Sequence, residues 1–138
     1  METLVKSKRC IVPARGFYEW KTVAGKKYPY YITLKNGGVM SFAGLYDEWH
    51  DDKGNQIATY TIITTSPNKE MSEIHNRMPV ILSKKQMDTW LEPISFNREQ
   101  LDELLAPLKD GMLNLVRVST DVNNARNNSE SLVYPFSN

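Results

Sequence analysis

An α+β fold built mostly of antiparallel strands is what this 138-residue chain predicts, and three observations carry the prediction. Runs rich in aromatic and β-branched residues, separated by Gly, Asn and Asp turns, occupy the first two thirds. Helical signals come later, from residue 66 onward. Nowhere do strand and helix signals alternate as in the βαβ units of a nucleotide-binding fold. The length suits one domain, by the usual ~100 to 200 residues per domain, so residues 1–138 are expected to form a single one. With 41% hydrophobic and 24% charged residues, the composition excludes disordered and collagen-like chains.

Each element has its own signal. Arg9 to Trp20 holds a strand or two, broken near Pro13 and Gly16. Tyr28 to Leu34 reads as a strand, with Pro29 near its start, where a missing N–H is tolerable. Asn36-Gly37-Gly38 supplies the positive φ values of a tight turn, and Val39 to Leu45 is expected to return as the hairpin partner. A second pair is expected from Tyr46 to His50, through the turn Asp51-Asp52-Lys53-Gly54-Asn55, into Ile57 to Thr65. Ser66 or Asn68 is placed to cap a short helix through Ile74. Ser83 caps Lys84 to Leu91, and Asn97 caps Arg98 to Leu105, whose Leu101, Leu104 and Leu105 make one apolar stripe. Pro93 and Pro107 stop these two helices. Leu113 to Val118 reads as a final strand, and Thr120 to Ser131, with four Asn, as loop.

Composition also narrows the function. No window reaches the ~18 consecutive apolar residues of a membrane span, and the start Met1-Glu2-Thr3-Leu4-Val5-Lys6 lacks the apolar region of a signal peptide. A cytoplasmic chain with no membrane partner is expected. One cysteine, Cys10, excludes an internal disulfide framework and a Cys-rich zinc site, and two histidines, His50 and His75, leave little for other metals, so neither metal nor cofactor is expected. The net charge of +1 is unevenly spread: residues 1–30 carry seven bases against two acids. Such asymmetry fits a polyanion-facing end, and an ordinary solvated face produces the same count.

Among residues that can carry chemistry, Glu19 stands in Gly16-Phe17-Tyr18-Glu19-Trp20, a carboxylate among three aromatics. That setting suits proton transfer, while strand alternation explains it equally well as an outward charge between core aromatics. His75 lies in Ile74-His75-Asn76-Arg77-Met78-Pro79, where a helix ends and Pro79 restarts an extended segment. It is a candidate acid/base or a helix-end cap, and Arg77 beside it suits phosphate or carboxylate. His50 reads as a turn residue. Cys10, in the apolar run Cys10-Ile11-Val12, reads as a small buried hydrophobe rather than a nucleophile. There is no Gly-x-Ser-x-Gly elbow, Gly-rich phosphate loop or His-Glu-x-x-His.

Five blocks taken in order have a further meaning. Arg9 through Trp20, Phe42-Ala43-Gly44-Leu45-Tyr46, Thr61-Ile62-Ile63-Thr64-Thr65, Ile74 through Pro79, and Val118-Ser119 through Val122-Asn123-Asn124 resemble the SOS-response-associated peptidase (SRAP) family of abasic-site processing proteins. The resemblance implies a barrel-like antiparallel sheet with a few short helices and a partner in single-stranded DNA carrying abasic sites. It also implies a reaction in which an N-terminal cysteine, freed by loss of the initiator methionine, condenses with the ring-opened aldehyde to a thiazolidine cross-link. On this resemblance Glu19 matches the proton-shuttling glutamate and His75 the histidine that assists ring opening, as catalytic residues. Arg77 matches an arginine on DNA phosphate and Thr64 a threonine of the preceding strand, as DNA-binding residues.

This chain departs from the pattern in ways that set expectations of their own. The family begins Met-Cys-Gly-Arg and carries an Asn-Ala-Arg segment, whereas this sequence starts Met1-Glu2. It resembles an N-terminally truncated member, unable to cross-link, with a second copy covering the apolar surface and strand edges that the missing segment leaves. Arg15 stands where the family commonly has Asp, adding positive charge near Glu19. The expected function is therefore abasic-site processing, with a cytoplasmic, nucleoid-associated place of work. Two alternatives stay open: a non-catalytic single-stranded DNA-binding module, with Phe17 or Trp20 stacking on bases, and a peptidase using Glu19 and His75.

Overall fold

The structure is a computed structural model and describes residues 8–137. Its strands, in chain order, are β1 (Arg9–Ala14), β2 (Phe17–Val23), β3 (Lys26–Leu34), β4 (Met40–His50), β5 (Gln56–Ile62), β6 (Thr64–Thr65), β7 (Met78–Pro79) and β8 (Leu113–Arg117). Two α-helices, α1 (Lys84–Leu91) and α2 (Arg98–Leu104), and three short 3-10 turns, η1 (Met71–Glu73), η2 (Thr120–Asn123) and η3 (Glu130–Val133), complete it. The fold is α+β with antiparallel ladders β2–β3, β3–β8 and β4–β5. Its sheets are open rather than closed into a barrel among the described residues. None of the described helices is long and apolar enough to cross a membrane. The chain divides into two compact units.

The first unit takes Ser41–Ser66, Pro79–Leu108 and, of the described N-terminal residues, 8–13. Its sheet has the order β1-β4-β5. The β4–β5 hairpin follows the register Tyr46↔Tyr60 to His50↔Gln56, as the turn residues require: Asp51 Oδ1 accepts the N–H of Lys53 (2.9 Å) and of Asn55 (2.8 Å), and Gly54 takes φ +79°. Both helices begin with reciprocal capping boxes. Ser83 Oγ accepts Gln86 N–H while Gln86 Oε1 accepts Ser83 N–H, and Asn97 and Gln100 repeat the exchange. Their apolar faces meet the sheet in a buried cluster of Ala43, Leu45, Val80, Leu82, Trp90 and Leu104, against which Ile11, Met87, Leu101 and Leu105 pack. Arg9 pins the end of α1: its guanidinium donates to the carbonyls of Trp90 (2.6 Å), Ile94 (2.9 Å) and Glu92, and lies over the Trp90 and Phe96 rings.

The second unit takes Ala14–Met40, Pro67–Met78 and, of the described C-terminal residues, 109–137. Its sheet has the order β2-β3-β8. Ala24 (φ +50°) and Gly25 (φ +81°) form a two-residue loop with positive φ at both positions, which matches the twist of the hairpin pairing Val23 with Lys26. The hairpin expected between Tyr28–Leu34 and Val39–Leu45 is not formed. β3 has two edges, and β2 takes one while β8 takes the other, in register from Tyr30↔Arg117 to Leu34↔Leu113. The Asn36-Gly37-Gly38 turn closes on Leu34, whose carbonyl accepts Gly37 N–H (3.0 Å), and Lys35 N–H goes to Met112 O instead of a returning strand.

A further expectation is corrected. The helix foreseen through Ile74 is only the single turn η1: Asn68 Oδ1 accepts Met71 N–H (3.1 Å) at its start, and Ile74 N–H closes on Met71 O (2.9 Å) in the tighter three-residue step of a 3-10 turn. The Asn-rich segment after β8 joins no ladder among the described residues, as expected; Ser119 Oγ accepts Asp121 N–H (3.1 Å) and starts the short turn η2, and η3 follows.

Candidate functional site

β2 is an edge strand, and its free edge organises the site. Trp20 faces Pro29 across the β2–β3 ladder, and the Pro29 carbonyl points the other way to accept Val118 N–H (3.0 Å). The pair is therefore a non-hydrogen-bonded one, and Trp20 N–H projects off the open edge. Glu19 Oε1 accepts that N–H at 3.1 Å. This folds the carboxylate over the strand edge, where its side chain is only 25% exposed.

His75 follows η1, and its N–H donates to Met71 O (3.0 Å). Arg77 N–H donates to His75 Nδ1 at 3.2 Å, while the Arg77 carbonyl lies 3.4 Å from the same nitrogen. Nδ1 thus has a backbone partner whether it accepts or donates. Nε2 lies 3.8 Å from Glu19 Oε1. That is too long for a hydrogen bond, yet an oxygen at ~2.8 Å from both atoms completes a triangle with them. The arrangement can give a proton to such an atom from one side and take one from the other.

The pair opens on a cleft of about 550 Å³ within the second unit, lined also by Trp20, Thr22, Lys27, Val122, Asn123 and Ala125. η2 supplies the far wall, and Trp20 Nε1 donates to Asn123 Oδ1 at 2.7 Å. A cavity of about 490 Å³ beside α1 and α2, lined by Gln86, Thr89, Phe96 and Gln100, holds no histidine or cysteine among its described lining residues. The approach of Glu19 to His75 makes the former the candidate site.

Of the residues singled out in the sequence, Glu19 and His75 therefore come together. Arg77 joins them through its backbone, and its side chain is not among the described residues that line the cleft. Thr64 lies exposed on β6 in the first unit. His50 ends β4, exposed and opposite Gln56. Burial pushes the Cys10 thiol up from its ordinary value, and its Sγ occupies space against Gly44, where an added Cβ would lie 2.9 Å away. Cleft residues Thr22 and Lys27 carry no motif of their own; the hairpin turn at Ala24-Gly25 is the signal that pairs them. The expectation about the N-terminal start lies outside the described residues. Among these, no group of three or more His, Cys, Asp or Glu is placed to hold a metal ion.

Comparison with known proteins places this geometry. The Bacillus subtilis (strain 168) protein named abasic site processing protein YoqW is 45% identical over 128 residues, which cover 92% of this chain and 57% of the relative. The chicken (Gallus gallus) protein named abasic site processing protein HMCES is 32% identical over 153 aligned residues, covering 96% of this chain and 45% of the relative. The chain thus spans about half the length of these curated relatives. A crystal structure of a Bacteroides thetaiotaomicron protein superposes with a TM-score of 0.89 at 33% identity, over 98% of this chain and 60% of that one. The model of one family matches residues 1–125, nearly the whole chain, and the protein belongs to that family, SOS response associated peptidase (SRAP).

Proposed function

We propose that this chain binds single-stranded DNA at abasic sites and processes them in the cleft at the edge of β2, as the names of its relatives suggest. The observation that supports the reading is the approach of Glu19 Oε1 to His75 Nε2, 3.8 Å apart and open to the cleft. An abasic sugar interconverts between a closed hemiacetal and an open aldehyde, and each direction moves one proton on and one off an oxygen. Glu19 and His75 are the groups that move them. Arg77 and Thr64 are read as DNA contacts. A homodimer and a nucleoid-associated place of work belong to the same reading.

The test is a denaturing gel of the chain with single-stranded DNA carrying one abasic site, beside the same chain given a Met-Cys-Gly-Arg start and its connecting segment. An adduct only in the second lane supports the reading. No adduct in either lane overturns it, and an adduct with the chain as given means that another amine traps the aldehyde.

A non-catalytic single-stranded DNA-binding module is the second reading, favoured by Trp20 and Lys27 in the cleft wall. Binding that falls steeply with salt and ignores the lesion supports it over the first.

A further inference from the structure

The Asn123 carboxamide has two ends, and the fold uses one of them. Its Oδ1 accepts the Trp20 indole N–H at 2.7 Å. An indole nitrogen is a donor only, so this contact fixes the amide orientation and turns Nδ2, with its two donors, away from the ring. Thr22 and Lys27 face each other across β2–β3 and so stand on one face of the sheet, the face that also carries Trp20. All three side chains line the cleft. Among the described residues, none of Asn123 Nδ2, Thr22 Oγ1 and Lys27 Nζ has a protein partner. Among the described residues of the cleft lining the one carboxylate is Glu19, which faces His75.

We propose that Lys27, Thr22 and Asn123 form a phosphate subsite that takes a backbone phosphodiester of the nucleotide next to the abasic one. The inference rests on the proposed binding of DNA and adds the polarity of the cleft to it. A phosphate needs donors and positive charge, which this trio supplies; the abasic sugar is neutral and tolerates the Glu19 carboxylate, which repels a phosphate. Charge separation within one cleft therefore seats the phosphodiester away from the acid–base pair and the sugar on it.

Asn123→Asp separates ligand contact from structural support. An aspartate still offers an oxygen to the Trp20 indole but replaces the free donors with a repelling acceptor. With the full chain and a short single-stranded DNA carrying one abasic site, N123D is expected to weaken binding about tenfold or more, the scale of a hydrogen bond to a charged group. Lys27→Gln is expected to reduce the slope of log affinity against log salt by about 0.7, the value for one phosphate on a single strand. Parental affinity in N123D, or an unchanged salt slope in K27Q, overturns the subsite while leaving the proposed function standing. Absence of any DNA binding by the parent chain overturns both. Thermal melts accompany each variant; K27Q alters an exposed side chain and decides the matter if N123D fails to fold.

Discussion

Glu19 Oε1 and His75 Nε2 lie 3.8 Å apart, and each group is set by the backbone N–H of a near neighbour, Trp20 for the carboxylate and Arg77 for the imidazole. Local hydrogen bonds thus orient both partners before any ligand arrives. An oxygen lying between the two atoms would be within hydrogen-bonding reach of both, the geometry that proton transfer needs.

This relationship gives the first prediction. In the chain supplied with a Met-Cys-Gly-Arg start, Glu19→Gln keeps the shape of the carboxylate and an oxygen for Trp20 N–H but cannot exchange a proton. The rate of cross-linking to abasic single-stranded DNA is expected to fall about 100-fold, the lower end of general acid–base contributions. Equal initial rates on a time-resolved gel would remove Glu19 from the chemistry.

Arg9 donates to three carbonyls at the end of α1 and covers two aromatic rings that stack 6.3 Å apart. Arg9→Lys keeps the charge and loses the planar fork. A loss of about 2 kcal/mol is expected from the forfeited charge-assisted bonds, read as a lower urea midpoint with an unchanged slope. A midpoint equal to the parent's contradicts the anchoring role.

Gly16 begins the β2 segment under constraint. A Cβ there would lie 2.6 Å from the Ile32 carbonyl oxygen and 2.6 Å from Tyr31 Cζ. Backbone cannot retreat without breaking the β2–β3 ladder, so Gly16→Ala is expected to cost about 3 kcal/mol. Chemical denaturation of the purified variant checks this, and stability within experimental error of the parent would show that the strands can part without loss.

The β4–β5 turn carries a pH dependence. The Asn55 backbone N–H, chiefly, then the Asn55 amide and Lys53 N–H hold the Asp51 carboxyl below its ordinary value, against a burial effect that raises it. A carboxyl lowered in the folded state stabilises above the ordinary aspartate range, and that contribution disappears as pH falls through the lowered value. Urea midpoints measured from about pH 6 to about pH 3 should fall less steeply in Asp51→Asn than in the parent. Parallel profiles would mean that the turn adds nothing to the acid sensitivity.

Much of this protein was legible in its sequence because the relevant interactions are local. Ser83 and Asn97 cap helices through residues three positions away, Asp51 and Gly54 shape their own turn, and the β-branched runs around Ile32 and Thr61 favour a pleat whatever they pair with. Pairing is different. Nothing near Leu34 announces that Leu113 will occupy its edge in place of the segment that follows the Asn36-Gly37-Gly38 turn, because strand edges are filled by hydrogen-bonding competition among all strands at once. The same holds for the cleft. The blocks around Glu19 and His75 marked each residue as able to move protons, but their separation, the Trp20 N–H projecting off an unpaired edge and the Asn123 amide turned by an indole exist only once β2, η1 and η2 converge. Residue chemistry is a property of the side chain, whereas distance and orientation arise from the packing of segments remote in sequence, and that packing alone decided which candidate groups face one another.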